Sequence, residues 1–241
     1  GLDYEIDGVV IKIADPEKYA DLGNTSKHPR GAMAMKLAAE IGESEIESVE
    51  WAVGKTGKVT PRAKIKKMFL AGTNISYATL HNPDDIRRKG IRVGQRIQIK
   101  RAGDVIPFII GPVDGQGDIG APIDIPTNCP SCGSVLEEKG ESKILQCNNT
   151  AGCAEQTSRR LDHWVSRGGA DIEGLSTSTL EKLEESGRVK SPSDIYTLEV
   201  SDIENLEGMG KRSAENIIQA IDDKKDLGLR KAIVAWSIPN A

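Results

Sequence analysis

Along this chain the apolar positions change period several times, and each change marks an element. Residues 9–13 (Val-Val-Ile-Lys-Ile) are apolar except for Lys12, and four of the five are β-branched. That density suits a buried strand. After a polar stretch, Ala32-Met33-Ala34-Met35-Lys36-Leu37 predicts a second strand, again with one lysine inside an apolar run. From Ser48 onward, short apolar runs are broken by Gly and Pro. Residues 49–53, 65–69, 75–77, 96–100 and 107–113 are the strand candidates. Short strands at this spacing, with turn residues between them, predict a small closed β-barrel. Inside that region residues 82–89 read as a short helix, with Asn82 placed to cap it and Pro83 at its first position. Further on the period becomes helical, starting with a helix over residues 158–167.

Two related units follow that helix. Ile172-Glu173-Gly174-Leu175-Ser176-Thr177-Ser178-Thr179-Leu180 and Ile203-Glu204-Asn205-Leu206-Glu207-Gly208-Met209-Gly210-Lys211-Arg212-Ser213-Ala214 read as the two units, each with glycine shortly before a helix. This is a helix-hairpin-helix pattern. Gly208 and Gly210 let backbone N–H groups point outward at a helix N-terminus, where the dipole favours phosphate. Lys211 and Arg212 add charge nearby, and small Ala214 lets two helices approach closely. The first unit carries Ser176 where the second has Gly210, which predicts a weaker phosphate binder. Ordinary helical turns with glycine caps are the alternative for both units. Residues 229–241 read as the start of a further unit.

Composition changes the picture in two ways. At 241 residues with 38% hydrophobic and 4% aromatic content, the chain has room for one to three small domains with aliphatic cores. The net charge of −4 argues against a uniformly basic nucleic-acid binder. Yet residues 54–104 hold thirteen Lys/Arg against three Asp. A local basic field of this kind suits a phosphate backbone. A small barrel of the OB type is a recurring nucleic-acid platform. With only Phe69, Tyr77 and Phe108 as stacking groups, the expectation is backbone contact without base readout. Arg87, Arg88 and Lys89 at the helix end, and Arg101 beyond, are the barrel's candidate DNA contacts. No signal peptide or membrane-length apolar run is present, so no membrane partner and a cytoplasmic location are expected. The chain enters structure at Gly1 and reads as a piece of a larger protein.

The sharpest chemical signal is Cys129-Pro130-Ser131-Cys132 followed by Cys147 and Cys153. A Cys-x-x-Cys turn with two more cysteines after a hairpin-length insert is the spacing of a tetrahedral four-cysteine zinc site. Gly133 can adopt positive φ there and turn backbone N–H groups toward the sulfurs. Four thiolates leave no open position for water, so the expected role is structural. His163 is not needed as a ligand. Two disulfides are the alternative reading.

The two strand lysines, Lys12 and Lys36, either reach a common anion or extend to solvent from strand edges. Here the order of motifs adds information. Asp7-Gly8-Val9-Val10-Ile11-Lys12 and Pro29-Arg30 with Lys36 resemble two nucleotidyltransferase motifs of bacterial NAD-dependent DNA ligases. The likeness is strongest in Gly54-Lys55-Thr56-Gly57, in Leu70-Ala71-Gly72-Thr73 with Ala78-Thr79-Leu80-His81-Asn82, and in Arg101-Ala102-Gly103-Asp104-Val105-Ile106-Pro107. The resemblance implies that Lys12 and Lys36 contact phosphates of NAD or AMP, with Asp7 beside the same site. Departures are Gly31, where Trp is usual, Leu37-Ala38-Ala39 for Phe-Pro-Ala, and Lys55 for Arg. The family's nucleophilic lysine, in a Lys-x-Asp-Gly motif, does not occur in the chain, so no catalytic residue is assigned.

The expected fold class is multidomain α+β. Its parts are β-strands ending an adenylation domain (1–42), an OB-fold barrel (43–122), a four-cysteine zinc finger (123–157) and a helical helix-hairpin-helix domain (158–241). The resemblance implies an enzyme that seals nicks in duplex DNA, joining 3′-hydroxyl to 5′-phosphate with NAD as adenylate donor. It implies structural Zn2+, with Mg2+ or Mn2+ at the phosphates, and a nucleoid-associated place in the cytoplasm. It also implies an N-terminal adenylation region as partner, without which this chain would not complete adenylation. A non-catalytic DNA clamp built from the same modules is the alternative.

Overall fold

The computed structural model describes residue 6 and residues 8–36, 39–101, 106–115 and 119–238. The chain divides into two compact units, Gly1–Trp51 with Pro61–Ile125, and Ala52–Thr60 with Pro126–Ala241.

The first unit opens with strand β1 (Gly8–Lys12), helix α1 (Pro16–Asp21) and strand β2 (Ala32–Lys36). Asp15 caps α1, its carboxylate accepting from Glu17 N at 3.0 Å. β1 and β2 form an antiparallel ladder of their own. Both strands were expected, but their burial was not met. Val10, Ile11, Met33 and Met35 are all more than half exposed. The reason is geometric: a lone two-stranded ladder has no second layer to cover either face.

The barrel follows, from β3 (Glu40–Val53), β4 (Lys58–Leu70), β5 (Thr73–Thr79), helix α2 (Pro83–Lys89), β6 (Arg92–Val93), β7 (Arg96–Arg101), β8 (Phe108–Pro112) and β9 (Ala121–Pro122). Its strand order is β4-β3-β7-β8-β5, and an additional β4–β5 pairing closes the ring. A register shift between Lys64 and Met68 marks a bulge that bends β4. Ile46, Ile65, Ile97, Ile99 and Ile109 fill the interior, with Ile86 of α2 beside them. The five expected strands are present, and β3 and β4 run much longer than expected. Their outward positions are charged, and alternation of charged and apolar residues is what a half-buried strand requires. Asn82 caps α2 by accepting from Asp85 N at 2.7 Å, and Gly90 ends it at φ 62°.

The second unit begins with a small hairpin, β10 (Leu136–Lys139) and β11 (Ile144–Cys147). β11 also pairs with Lys58 and Val59 at the start of β4, which belong to this unit. Among the described residues six helices follow: α3 (Ala154–Val165), α4 (Thr177–Glu185), α5 (Pro192–Ile195), α6 (Val200–Glu204), α7 (Lys211–Asp223) and α8 (Gly228–Ala235). They enclose one aliphatic core that includes Leu161, Leu180, Leu183, Ile195, Ile203 and Ala214. Ala214 is fully buried, and α6 packs on α7. The first helix starts at Ala154 rather than Ser158, directly after a cysteine. No helix among the described residues is long and apolar enough to cross a membrane.

Candidate metal centre and nucleic-acid interface

The four cysteines converge. Cys129 and Cys132 sit on a tight turn in which Gly133 N donates to Cys129 O at 2.9 Å, with Gly133 at φ 72°. Cys147 ends β11, and Cys153 stands at the N-terminus of α3. Their sulfurs all lie within 4.8 Å of one another. Cys129 Sγ is 3.9 Å from Cys153 Sγ, and Cys132 Sγ is 3.6 Å from Cys147 Sγ. A tetrahedral zinc with bonds of about 2.3 Å needs sulfurs about 3.8 Å apart, whereas a disulfide needs about 2.05 Å. The donor set therefore fits a metal, and none of the four is in a disulfide.

Protonation fits the same chemistry. Burial pushes the Cys147 thiol up to about 12 and raises Cys129 as well. The hydroxyl and backbone of Ser134 draw Cys132 down to about 6. Four close thiols resist collective ionisation unless a cation compensates them, so metal uptake here releases protons.

The barrel's basic field is partly answered by its own chain. Glu40, Glu43, Glu45, Glu47 and Glu50 lie just upstream of the basic window, and counting them halves the local excess from ten to five. Arg62 pairs with Glu50 at 2.7 Å, Lys66 with Glu45 at 2.8 Å, and Arg96 with Glu43 at 2.6 Å. Arg62 also lies over the Tyr77 ring, 4.6 Å from its centroid. Of the expected DNA contacts, Lys89 turns inward, its Nζ 2.6 Å from Asp85 Oδ2 and 2.8 Å from Ile109 O. Arg88 pairs with the same carboxylate but stays largely exposed, and Arg87 is exposed. Burial works against the charge of Asp85, but Lys89 and Arg88 prevail and hold its carboxyl below the ordinary value. Arg101 Nη1 donates to Leu70 O and Ala71 O, bracing the β4–β5 turn.

In the helical region the two glycine units differ at the atom that matters. Ser176 caps α4 with its own hydroxyl, which accepts from Thr179 N at 3.3 Å. Gly210 begins α7 with no side-chain cap. The first-turn N–H groups of α7 therefore have no competing hydroxyl, and exposed Lys211 and Arg212 stand beside them. Only one of the two glycines uses its conformational freedom. Gly208 sits at φ 81°, while Gly210 is extended at φ −129° and contributes by lacking a side chain.

In the ribbon, Lys12 pairs with Ala32 and Lys36 with Gly8. The two lysine positions thus stand at opposite ends of the ladder, four residues or about 13 Å apart along the strands. Lys12 is exposed, and Asp7 lies outside the described residues. Gly31 is buried under the Tyr19 ring, whose Cδ2 would be 2.6 Å from a Cβ placed there. Tyr19 thus fills space that a larger residue at 31 would need.

Comparison with known proteins places these observations. Residues 1–40 match the NAD-dependent DNA ligase adenylation domain, and residues 43–119 match the NAD-dependent DNA ligase OB-fold domain. "DNA ligase 1" of Nocardia farcinica is 45% identical over 100% of this chain and 36% of its own length. "DNA ligase" of Haloarcula marismortui is 40% identical over 99% of this chain and 34% of its own length. "DNA ligase" of Natranaerobius thermophilus is 41% identical over 98% of this chain and 36% of its own length. The chain spans about a third of the length of these relatives. The chain thus matches, in order, two domain models of the NAD-dependent DNA ligases, and it is similar to curated DNA ligases along its whole length.

Proposed function

We propose that this chain is the DNA-gripping portion of an NAD-dependent DNA ligase, which joins 3′-hydroxyl to 5′-phosphate at nicks in duplex DNA. The observation that carries this reading is that the whole chain aligns with DNA ligases, at 45% identity to one of them. Its modules are the end of an adenylation domain (1–42), the OB barrel (43–122), a zinc finger (123–157) and a helix-hairpin-helix domain (158–241).

Each module has a role in this reading. Lys12, Lys36 and Asp7 serve the nucleotide site, where NAD supplies the adenylate. The exposed apolar faces of β1 and β2 suit cover by the remainder of an adenylation domain. The four cysteines hold structural Zn2+. Arg87, Arg88, Arg101 and the Gly208–Arg212 turn meet phosphates of the duplex without reading sequence. Mg2+ or Mn2+ contributes positive charge at the reacting phosphates, a role that matches phosphoryl transfer generally. A nucleoid-associated, cytoplasmic setting follows from the substrate.

A non-catalytic DNA clamp is the second reading; the lysine pair favours the first, since a clamp has no need of it. Mixing separates the two. The chain is combined with an adenylation fragment that carries Lys-x-Asp-Gly, together with NAD and Mg2+, and sealing of a nicked duplex is followed. Sealing that disappears with Lys12→Ala or Lys36→Ala is the expected result. Nick binding without sealing, indifferent to both substitutions, leaves the clamp.

A further inference from the structure

Gln156 has no solvent exposure, and burying a primary amide is unfavourable unless its polar atoms find partners. It lies in the first turn of α3, three residues after Cys153, and that spacing puts it on the same helix face as the cysteine. Its Nε2 donates to Cys147 O at 3.2 Å and to Asn149 O at 3.4 Å. A side chain from the helix that begins at the fourth cysteine thus holds the peptide of the third.

The N–H of the same cysteine holds the residue 54–58 tip between β3 and β4. Cys147 N donates to Gly57 O at 2.8 Å, and Gln146 Nε2 donates to Thr56 O at 2.6 Å. Gly57 sits at φ +82°, where a Cβ would lie 2.2 Å from Cys147 O and 3.0 Å from Gln156 Oε1. The tip backbone is therefore pressed against both the cysteine peptide and the buried amide. Gln156 Oε1 is buried with no hydrogen-bond partner among the described residues. What the amide contributes comes through its Nε2 end. Lys55 and Lys58 flank the turn with no ion-pair partner among the described residues, and Lys58 is exposed.

We propose that Gln156 is a positioning residue that couples metal loading at the four cysteines to the conformation of the residue 54–58 tip, and so to phosphate contact by Lys55 and Lys58. The inference rests on the zinc and DNA reading above. Groups outside the ligand shell orient the ligands and tune metal affinity. Here the orienting group also touches a basic turn, so order at one end is passed to the other. By linkage the coupling is reciprocal: a disturbed tip weakens metal binding as much as an empty site loosens the tip.

The test uses the whole chain loaded with Zn2+. Native mass spectrometry counts bound ions, chelator competition gives zinc affinity, and hydrogen exchange reports the amides of Gly54, Gly57 and Cys147. Binding to nicked duplex is measured alongside. Gln156→Met keeps side-chain length but loses the donors, and Gln156→Glu keeps size and also loses them. Both are expected to retain one ion with affinity lowered about tenfold or more. Both should exchange faster at the three amides and bind the duplex more weakly, while the Ile97 and Ile99 amides are unchanged. A role in packing alone would spare Gln156→Met. Wild-type exchange in ion-loaded Gln156→Met overturns the coupling. Should the Gln156 variants fail to fold, Gly57→Ala carries the test from the other end, and unchanged zinc affinity there overturns it equally. No ion on the wild-type chain overturns the metal reading itself, a separate and recognisable failure.

Discussion

Strands β1 and β7 both carry β-branched residues, yet Val10 and Ile11 are 59% and 58% exposed while Ile97 and Ile99 are fully buried. The difference lies in what each strand pairs with. β7 has a neighbour on both edges and a ring that closes behind it. Among the described residues β1 has a single partner and no second layer. A β-branched run therefore determines that a strand forms, while closure determines whether it is buried. The hairpin β10–β11 is a third case, as small as β1–β2. It adds a third neighbour in β4 and ends in a cysteine cluster, and Leu136, Leu145 and Cys147 are buried.

The largest expected effect strikes that third case. Cys147→Ser removes one of four converging thiols, and small metal modules draw most of their folding free energy from the ion. The expected outcome is loss of the bound ion by native mass spectrometry, and loss of exchange protection over residues 136–147. A protected hairpin without metal would place it with the barrel, held by burial alone. Next in size is the contrast between barrel and ribbon. Ile99→Ala is expected to cost about 2–5 kcal/mol, whereas Ile11→Ala stays within about 0.5 kcal/mol. Denaturant unfolding followed by Trp51 fluorescence measures the first, and hydrogen exchange of β1 measures the second. Equal costs would break the comparison, because they would mean that the ribbon is already covered.

A smaller effect concerns charge rather than burial. Asp85 is buried and its carboxyl is held below the ordinary value against the pull of burial. A depressed carboxyl stabilises the fold above its unfolded pKa, near 3.8, and that contribution is lost as pH falls through the lower folded value. Asp85→Asn is expected to lower barrel stability by about 1–3 kcal/mol at neutral pH and to flatten the acid limb below pH 4. Urea titrations at several pH values check both. An unchanged acid limb would assign the pH dependence to other carboxylates. The exposed pairs of β3 with β4 and β7 are expected to contribute no more than about 1 kcal/mol each.

Much of the fold was legible because its signals are local. Asn82 and Pro83 start α2 through rules that act within one helical turn, and the structure places Asn82 as the cap with Pro83 at the first position. The cysteine spacing announced a cluster because a Cys-x-x-Cys turn brings two sulfurs together whatever surrounds it. The missed features lie between distant residues. Glu43, Glu45, Glu47 and Glu50 lie just upstream of the basic stretch and meet its cations only across strands. Lys89 reads as a surface cation in the sequence, whereas α2 aims it at Asp85 and Ile109 O. Gln156 carried no signal at all, since an amide in a polar helical stretch reads as surface.

By itself, then, the sequence determined where strands, turns and caps form, that four thiols would gather, and which family the motifs resemble. Each depends on backbone preference or on spacing along a few residues. Only the tertiary structure decided which apolar strand is covered, which cations are already answered, and which amide joins the cysteines to the basic tip. Those outcomes depend on partners tens of residues away, and burial and electrostatics are properties of the assembled neighbourhood rather than of any residue in it.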